Sequence, residues 1–450
     1  MKILFAVHQF FPESRAGVEI VTLGLAKELQ ARGHEPHVFA AKRSLPGSGI
    51  RPYETEDYEY EGIPVRRVGR PEEGPARSYR LNYDNDEMAG RAREHARALG
   101  PDIVHVMHLQ GLSAAVVPAF KELGLPVVFT AADFWTVCPV VDLRRHDGAL
   151  CEGPEVHHCI RCIASRNPDP RVKARADLPG AAAGAAGVLS RTPLVRLSGS
   201  LRQVGEVRQR PASIKRDLQH VDRVLAYTRL TRDLLVRNGV GAGSTSVSHY
   251  GVDVVSVAGG GVERRGGRTS SALRVGFVGT IAPHKGPDLL VRAFRRMPGD
   301  FNATLEIHGG VGGYESFSTE LGALAGEDGR IRFPGAFARE EVGRVLAGID
   351  VLVVPSRWYE NAPGVIFEAF AARVPVVATD LGGLSEFVRH GENGLLFRLD
   401  DVEDLALQLR RLAGEPGLLA GLRGGIRPVK TVGEYVGELE EVYAGLVGEK

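Results

Sequence analysis

Short apolar runs separated by helix-length amphipathic stretches recur along the whole chain. KILFAV (2–7), PHVFAA (36–41), DIVHVM (102–107), PVVFTA (126–131) and RVLAYT (223–228) predict strands in the first half. LRVGFVG (273–279), ATLEIHG (303–309), DVLVVPS (350–356) and VPVVAT (374–379) repeat the rhythm in the second. Between the first two runs, GVEIVTLGLAKELQARGH sets Ile20, Leu23, Leu25 and Leu29 on what suits one helix face. This alternation is the pattern of parallel α/β architecture. The expected class is α/β, with two Rossmann-like, doubly wound parallel-sheet domains facing across a cleft and ligands at the carboxyl ends of the strands.

Composition marks the boundaries. The Gly-rich run SVAGGGVERRGGRTSS (256–271) reads as a linker between a first domain, 1–255, and a second, 272–430. The last segment, 431–450, is helical in period, and its return to the first domain is left open by the sequence. Residues 138–220 break the rhythm and read as an insertion on the first domain. They hold all four cysteines, the run PGAAAGAAGVL and the basic stretch 191–216.

A length of 450 residues fits two or three domains, and 43% hydrophobic with 25% charged residues is ordinary for a soluble globular protein. The formal charge of +1 gives no footprint for nucleic acid. The first residues, MKILFAVHQFFPES, read as a core strand rather than a signal peptide. No apolar run reaches the length of a membrane span. A cytoplasmic enzyme is the expectation.

The candidate chemistry lies at strand ends of the second half. In WYENAPGVIFEAF (358–370), Pro363 argues against one unbroken helix, because it lacks an amide donor and is best tolerated at a helix start. Glu360 then falls in the loop before a helix and Glu368 about one turn inside it. The free amides around Gly364 favour an anion. Lys285, in TIAPHKGPDLL, follows another strand, and the glycine pair of DLGGLSEF follows a third. One lysine, two glutamates and several glycines converging on one edge suit a diphosphate with hydroxyls on both sides. Lys285 supplies a point charge, Glu368 accepts from a ribose diol, and Glu360 holds the group beyond the phosphates. A lone Lys or Glu is ordinary solvated surface; the weight comes from the set.

These motifs resemble the retaining family-4 glycosyltransferases of GT-B fold. The resemblance is strongest over PSRWYENAPGVIFEAFAARVPVVATDLGGLSEFVRHGENGLLF (355–397). It extends to GFVGTIAPHKG (276–286), YGVD (250–253), HQFFPESRAGVE and DIVHVMHLQGLS. It implies transfer of a sugar from a UDP-, GDP- or ADP-sugar to a glycan, lipid-linked or small-molecule acceptor, with retention and no catalytic cofactor. By resemblance Lys285 steadies the departing diphosphate, Glu368 binds ribose, and Glu360 with Asn361, Gly364 and Val365 holds the donor sugar. Gly17 lies near the phosphates, and His108 near the reacting sugar and acceptor. Three departures stand out. Thr280 occupies a position where the family often has Arg, with Arg357 a candidate replacement. Ala16 precedes Gly17 where a second glycine is common. Ala132-Asp133 replaces a frequent His-Asp, leaving Asp133 as an acceptor-side candidate.

Cys138, Cys151, Cys159 and Cys162, in CPVVDLRRHDGALCEGPEVHHCIRC, are the only cysteines. Clustered so, with a terminal C-x-x-C, they read as a structural zinc site, with an iron–sulfur cluster as the softer alternative and buried thiols or a redox pair as the bland one. His157 or His158 could replace one ligand. Similar cysteine-bearing loops occur in some relatives after DFW..CP, here Asp133 to Pro139. The basic stretch 191–216 reads first as a solvated helix face, and second as a peripheral contact with anionic lipid at the inner face of the membrane. The rivals are an oxidoreductase, disfavoured because no G-x-G-x-x-G follows a first strand, a nucleotide-sugar epimerase or phosphorylase, and a non-catalytic nucleotide-sugar-binding subunit.

Overall fold

The computed structural model describes residues 1–44, 49–71, 78–167, 199–254 and 272–448, with Lys173 and Val257 besides. The run 179–189, the first part of the basic stretch (191–198) and, apart from Val257, the expected linker 256–271 lie outside the described residues. The chain divides into two compact units, Met1–Tyr250 with Val432–Lys450, and Gly251–Thr431.

The first unit is built on an eight-stranded sheet. Its strands are β1 (Lys2–Val7), β2 (Glu35–Ser44), β3 (Thr55–Tyr60), β4 (Ile63–Pro71), β5 (Ile103–Val106), β6 (Val127–Ala131), β7 (Arg223–Ala226) and β8 (Thr245–Val247), in the order β3-β4-β2-β1-β5-β6-β7-β8. All neighbours run parallel except β3, which returns antiparallel beside β4 at the edge. Ile3 to Val7 are wholly buried, as a strand covered on both faces must be. Edge strand β3, TEDYEY, is largely exposed and polar, so no apolar run marks it.

Helix Gly17–Ala31 follows β1 and buries Leu23, Leu25, Ala26 and Leu29. Helix Val432–Gly448 also belongs to this unit. Its buried Tyr443 shares a hydrogen bond with the ring of His105 on β5, and Arg32 donates to Glu440 (2.8 Å).

The second unit carries a six-stranded, wholly parallel sheet. Its strands are β9 (Leu273–Val278), β10 (Ala303–His308), β11 (Ile331–Gly335), β12 (Val351–Val354), β13 (Val376–Thr379) and β14 (Gly394–Phe397), in the order β11-β10-β9-β12-β13-β14. Two apolar layers sandwich it. One gathers Leu290, Phe294 and Leu409, the other Leu346, Ile366 and Val388.

In both sheets the strand order reverses once around the first strand of the unit. β1 has β2 on one side and β5 on the other; β9 has β10 and β12. At such a switch point the connections after the two strands leave in opposite directions and open a crevice at their carboxyl ends.

Candidate active site

In the second unit the loops after β9 and β12 carry Lys285 and Glu360, and the switch point brings them together. Lys285 Nζ donates to Glu360 Oε1 at 2.6 Å. The same oxygen accepts from Ser356 Oγ (2.8 Å) and Trp358 Nε1 (2.9 Å). The ammonium also lies 5.2 Å from the centroid of the Trp358 ring, whose other contact is His284 at 4.2 Å. Burial pushes the Glu360 carboxyl up, but the Lys285 ammonium and the hydrogen bonds to the carboxylate outweigh it, and the net shift is downward. The glutamate is therefore held ionised against a half-buried cation.

Helix Gly364–Ala371 starts four residues on. Pro363 is its N-cap residue (φ −72°, ψ 115°), one position before the first helical residue where proline was expected. No side chain caps the first amides, and Gly364 and Val365 are only partly buried. The helix thus presents unpaired donors beside the Lys285–Glu360 pair. Asn361 is buried in the same loop. Glu368, one turn in, is buried and forms an ion pair with the half-exposed Arg339, from the connection after β11.

Glycines make this packing possible. Gly286 has φ +70°, and a Cβ there would lie 2.0 Å from the carbonyl oxygen of Pro355. A Cβ on Gly383 would lie 2.2 Å from Asn361 O and 2.5 Å from Glu360 O. The close approach read from DLGGLSEF is thus, at Gly383, an approach to the protein's own glutamate loop.

Arg357 does not join the cluster. Its guanidinium donates to Asp288 at 2.6 Å and to Asp400 at 2.5 Å, and so ties its own loop to the first turn of helix Pro287–Arg295 and to the turn at Asp400. Thr280 is exposed after β9.

In the first unit a second cluster sits at the β1/β5 switch. His8 follows β1 directly and His108 lies two residues beyond β5, with ring centroids 4.1 Å apart. The Gln110 amide donates to His108 Nδ1 at 3.0 Å, so Nε2 carries the proton it shares with Asp133. Asp133 in turn accepts from the Trp135 amide (2.9 Å). Burial, then the neighbouring His108 and Arg70, hold the His8 imidazole well below 6.5. Glu19 is fully buried with an oxygen 3.3 Å from His8 Nε2; burial pushes its carboxyl up, and its other oxygen accepts from the Ala16 amide (2.8 Å). Gly17 is the exposed first residue of its helix.

His8, Glu19, Ser356, Trp358 and Arg339 were not singled out from sequence. His8 directly follows β1 and Ser356 lies two residues beyond β12, so both stand in connections after strands, as Lys285 does. Arg339 carries no such cue.

The four cysteines are free thiols lining one pocket with Val137, Leu143 and His158. Burial pushes Cys138 up to about 11 and Cys159 up to about 12. The basic stretch continues, in its described part, as helix Gly199–Leu218. Val204, Val207 and Ile214 are buried there, so its apolar side is already covered by protein. That corrects the lipid-facing reading for 199–216, because interfacial binding needs a free apolar face. No helix among the described residues is long and apolar enough to cross a membrane.

Two parallel-sheet α/β units, each with polar residues gathered at its switch point, define the GT-B architecture. Over the full chain it resembles HepE of Anabaena in complex with UDP (TM-score 0.66, 16% identity, covering 99% of this chain and 100% of that one). It also resembles sucrose-phosphate synthase of Thermosynechococcus elongatus (TM-score 0.64, 18% identity, covering all of both). In sequence, residues 15–149 match the family described as Glycosyltransferase Family 4, and residues 272–415 that described as Glycosyl transferases group 1. Each match lies within one of the two units. The D-inositol 3-phosphate glycosyltransferase of Rhodococcus jostii is 34% identical over 244 residues, 49% of this chain and 49% of that protein. The chain thus spans about half the length of the curated relatives it matches.

Proposed function

We propose that the protein transfers a sugar, with retention at the anomeric carbon, from a nucleoside diphosphate donor to a hydroxyl of a glycan, lipid-linked or small-molecule acceptor. What carries this reading is the meeting of Lys285 and Glu360 beside the unpaired amides of helix Gly364–Ala371. Cleavage of the bond from the anomeric carbon to phosphate oxygen builds negative charge on the leaving diphosphate. A cation already desolvated and oriented, with amide donors next to it, stabilises that charge with little reorganisation. The donor's phosphates compete with Glu360 for the Lys285 ammonium. The carboxylate, still held by Ser356 and Trp358, is then free to accept from sugar hydroxyls. Glu368 accepts from the ribose diol, exchanging Arg339 for it. Asn361, Gly364 and Val365 complete the donor side. On the first unit, Gly17 is assigned to phosphate, and His108, oriented by Asp133, to the acceptor hydroxyl.

The base of the donor is tested by a thermal-shift series with UDP-, GDP- and ADP-sugars, UDP first because HepE was solved with UDP. A ligand present at about a hundred times its Kd stabilises the folded state by about 2.7 kcal/mol. Nucleoside diphosphate should then appear only when donor and acceptor are mixed. Stabilisation without release under any acceptor would leave a nucleotide-sugar-binding subunit; no stabilisation by any donor would remove the reading altogether.

A further inference from the structure

The pocket of four thiols shares no lining residue with either switch-point cluster. Cys159 and Cys162 share one face of helix Val156–Ser165, while Cys138 and Cys151 come from the preceding loop. The Cys151 thiol donates to the Gly153 carbonyl at 3.1 Å. Val141 (φ 79°) and Leu143 (φ 50°) hold left-handed backbone in this loop, a conformation that a branched residue adopts only when its surroundings impose it.

A buried cation faces the same sulfurs. Arg210, on helix Gly199–Leu218, is 2% exposed, and its guanidinium lies 4.7 Å from the centroid of Trp135 and donates to the Trp135 carbonyl. No carboxylate among the described residues pairs with it, and its Nε has no partner there. Tyr79, Cys138, Cys159 and Tyr83 are the groups that act on its charge. Burying an uncompensated guanidinium costs several kcal/mol. Neutral thiols offset none of it; a centre of metal-bound thiolates does.

We propose that Cys138, Cys151, Cys159 and Cys162 ligate a metal–thiolate centre whose negative charge is offset by Arg210. Four soft ligands suit zinc or an iron–sulfur core. On one tetrahedral zinc ion the sulfurs stand about 3.8 Å apart, from Zn–S bonds of about 2.3 Å. Here no three of the four sulfurs lie within 4.8 Å of one another, a wider spacing than one zinc ion holds. The centre would join the loop after β6 to two helices. That loop begins with Asp133, so the turn holding His108 would be anchored by it.

The test is metal and acid-labile sulfide analysis, with visible absorption, of full-length protein purified anaerobically without chelator. Iron and sulfide with absorption near 400 nm support the cluster, and near-stoichiometric zinc supports the centre in its single-ion form. Protein free of both metals, with four thiols that react freely under native conditions, overturns it. In Cys159→Ser/Cys162→Ser, metal should fall at least tenfold; unchanged metal content shows that it sits elsewhere. Arg210→Lys should keep most of the metal and Arg210→Met should lose it. Equal loading in those two variants refutes the counter-charge. Because wild-type metal content and thiol reactivity are read first, a variant that fails to fold leaves the proposal testable.

Discussion

At the scale of single residues, the decisive feature is one carboxylate oxygen accepting from three donors. Glu360 Oε1 holds Lys285, Ser356 and Trp358 together. Removing the cation should lower kcat by about 10²–10³-fold in Lys285→Ala, the effect of deleting one preorganised donor to a developing anion. An unchanged kcat in steady-state assays sinks the assignment. Glu368→Ala should act mainly on donor binding, weakening it about tenfold or more, the worth of a charge-assisted hydrogen bond; titration calorimetry with nucleoside diphosphate measures it. Glu360 also carries a pH signature. Its folded pKa is depressed below the ordinary 4.5, so its contribution to stability is complete above that value and is lost as pH falls through the folded pKa. Glu360→Gln should flatten this acid limb in a denaturant titration series below pH 4.5, and an identical limb in wild type and variant would contradict the pairing.

Elements bring these residues together through backbone contacts that side-chain reasoning does not reach. The loop after β13 nests against the glutamate loop because Gly383 has no Cβ, which would otherwise fall 2.2 Å from Asn361 O. Gly383→Ala should destabilise the second unit by about 1–3 kcal/mol, the range for overpacking, and weaken donor affinity through the displaced loop. Equilibrium unfolding in urea reads the first and calorimetry the second. The strands read from apolar runs are all present, within a residue or two at most ends. β3, β4, β8, β11 and β14 escaped. Four of them lie at sheet edges, where burial is one-sided or brief: TEDYEY is mostly polar, IRFPG mostly exposed, and TSV and GLLF only three and four residues long. β4 lies inside the sheet, but Arg66, Arg67 and Arg70 interrupt the apolar run of IPVRRVGRP.

For the molecule as a whole, acid sensitivity follows from buried neutral histidines in the first unit. Burial holds His105 down to about 3 and His95 down to about 4, and His8 is lowered well below 6.5. The unfolded chain binds protons at these sites near pH 6.5 and the folded chain does not. Stability is therefore full above about pH 6.5 and falls as pH drops from there toward 4. The first unit's unfolding midpoint should decline over that window, and His105→Gln, which keeps a polar partner for Tyr443 without titrating, should decline less steeply. A midpoint independent of pH between 6.5 and 4 would be the contrary result.

The amino-acid order alone determined the α/β class, the strand rhythm and the candidates Lys285, Glu360 and Glu368, while His108 came only from the family resemblance. Periodicity and position after a strand are local properties, readable without coordinates. It did not determine where the final helix packs, which arginine meets Glu368 or that Arg357 is consumed by Asp288 and Asp400. It also hid that four thiols line one pocket and that the buried Arg210 acts on two of them. Those pairings join residues from 29 to 72 positions apart in the chain, and 338 apart for His105 and Tyr443, and only the strand order of two folded sheets brings them together.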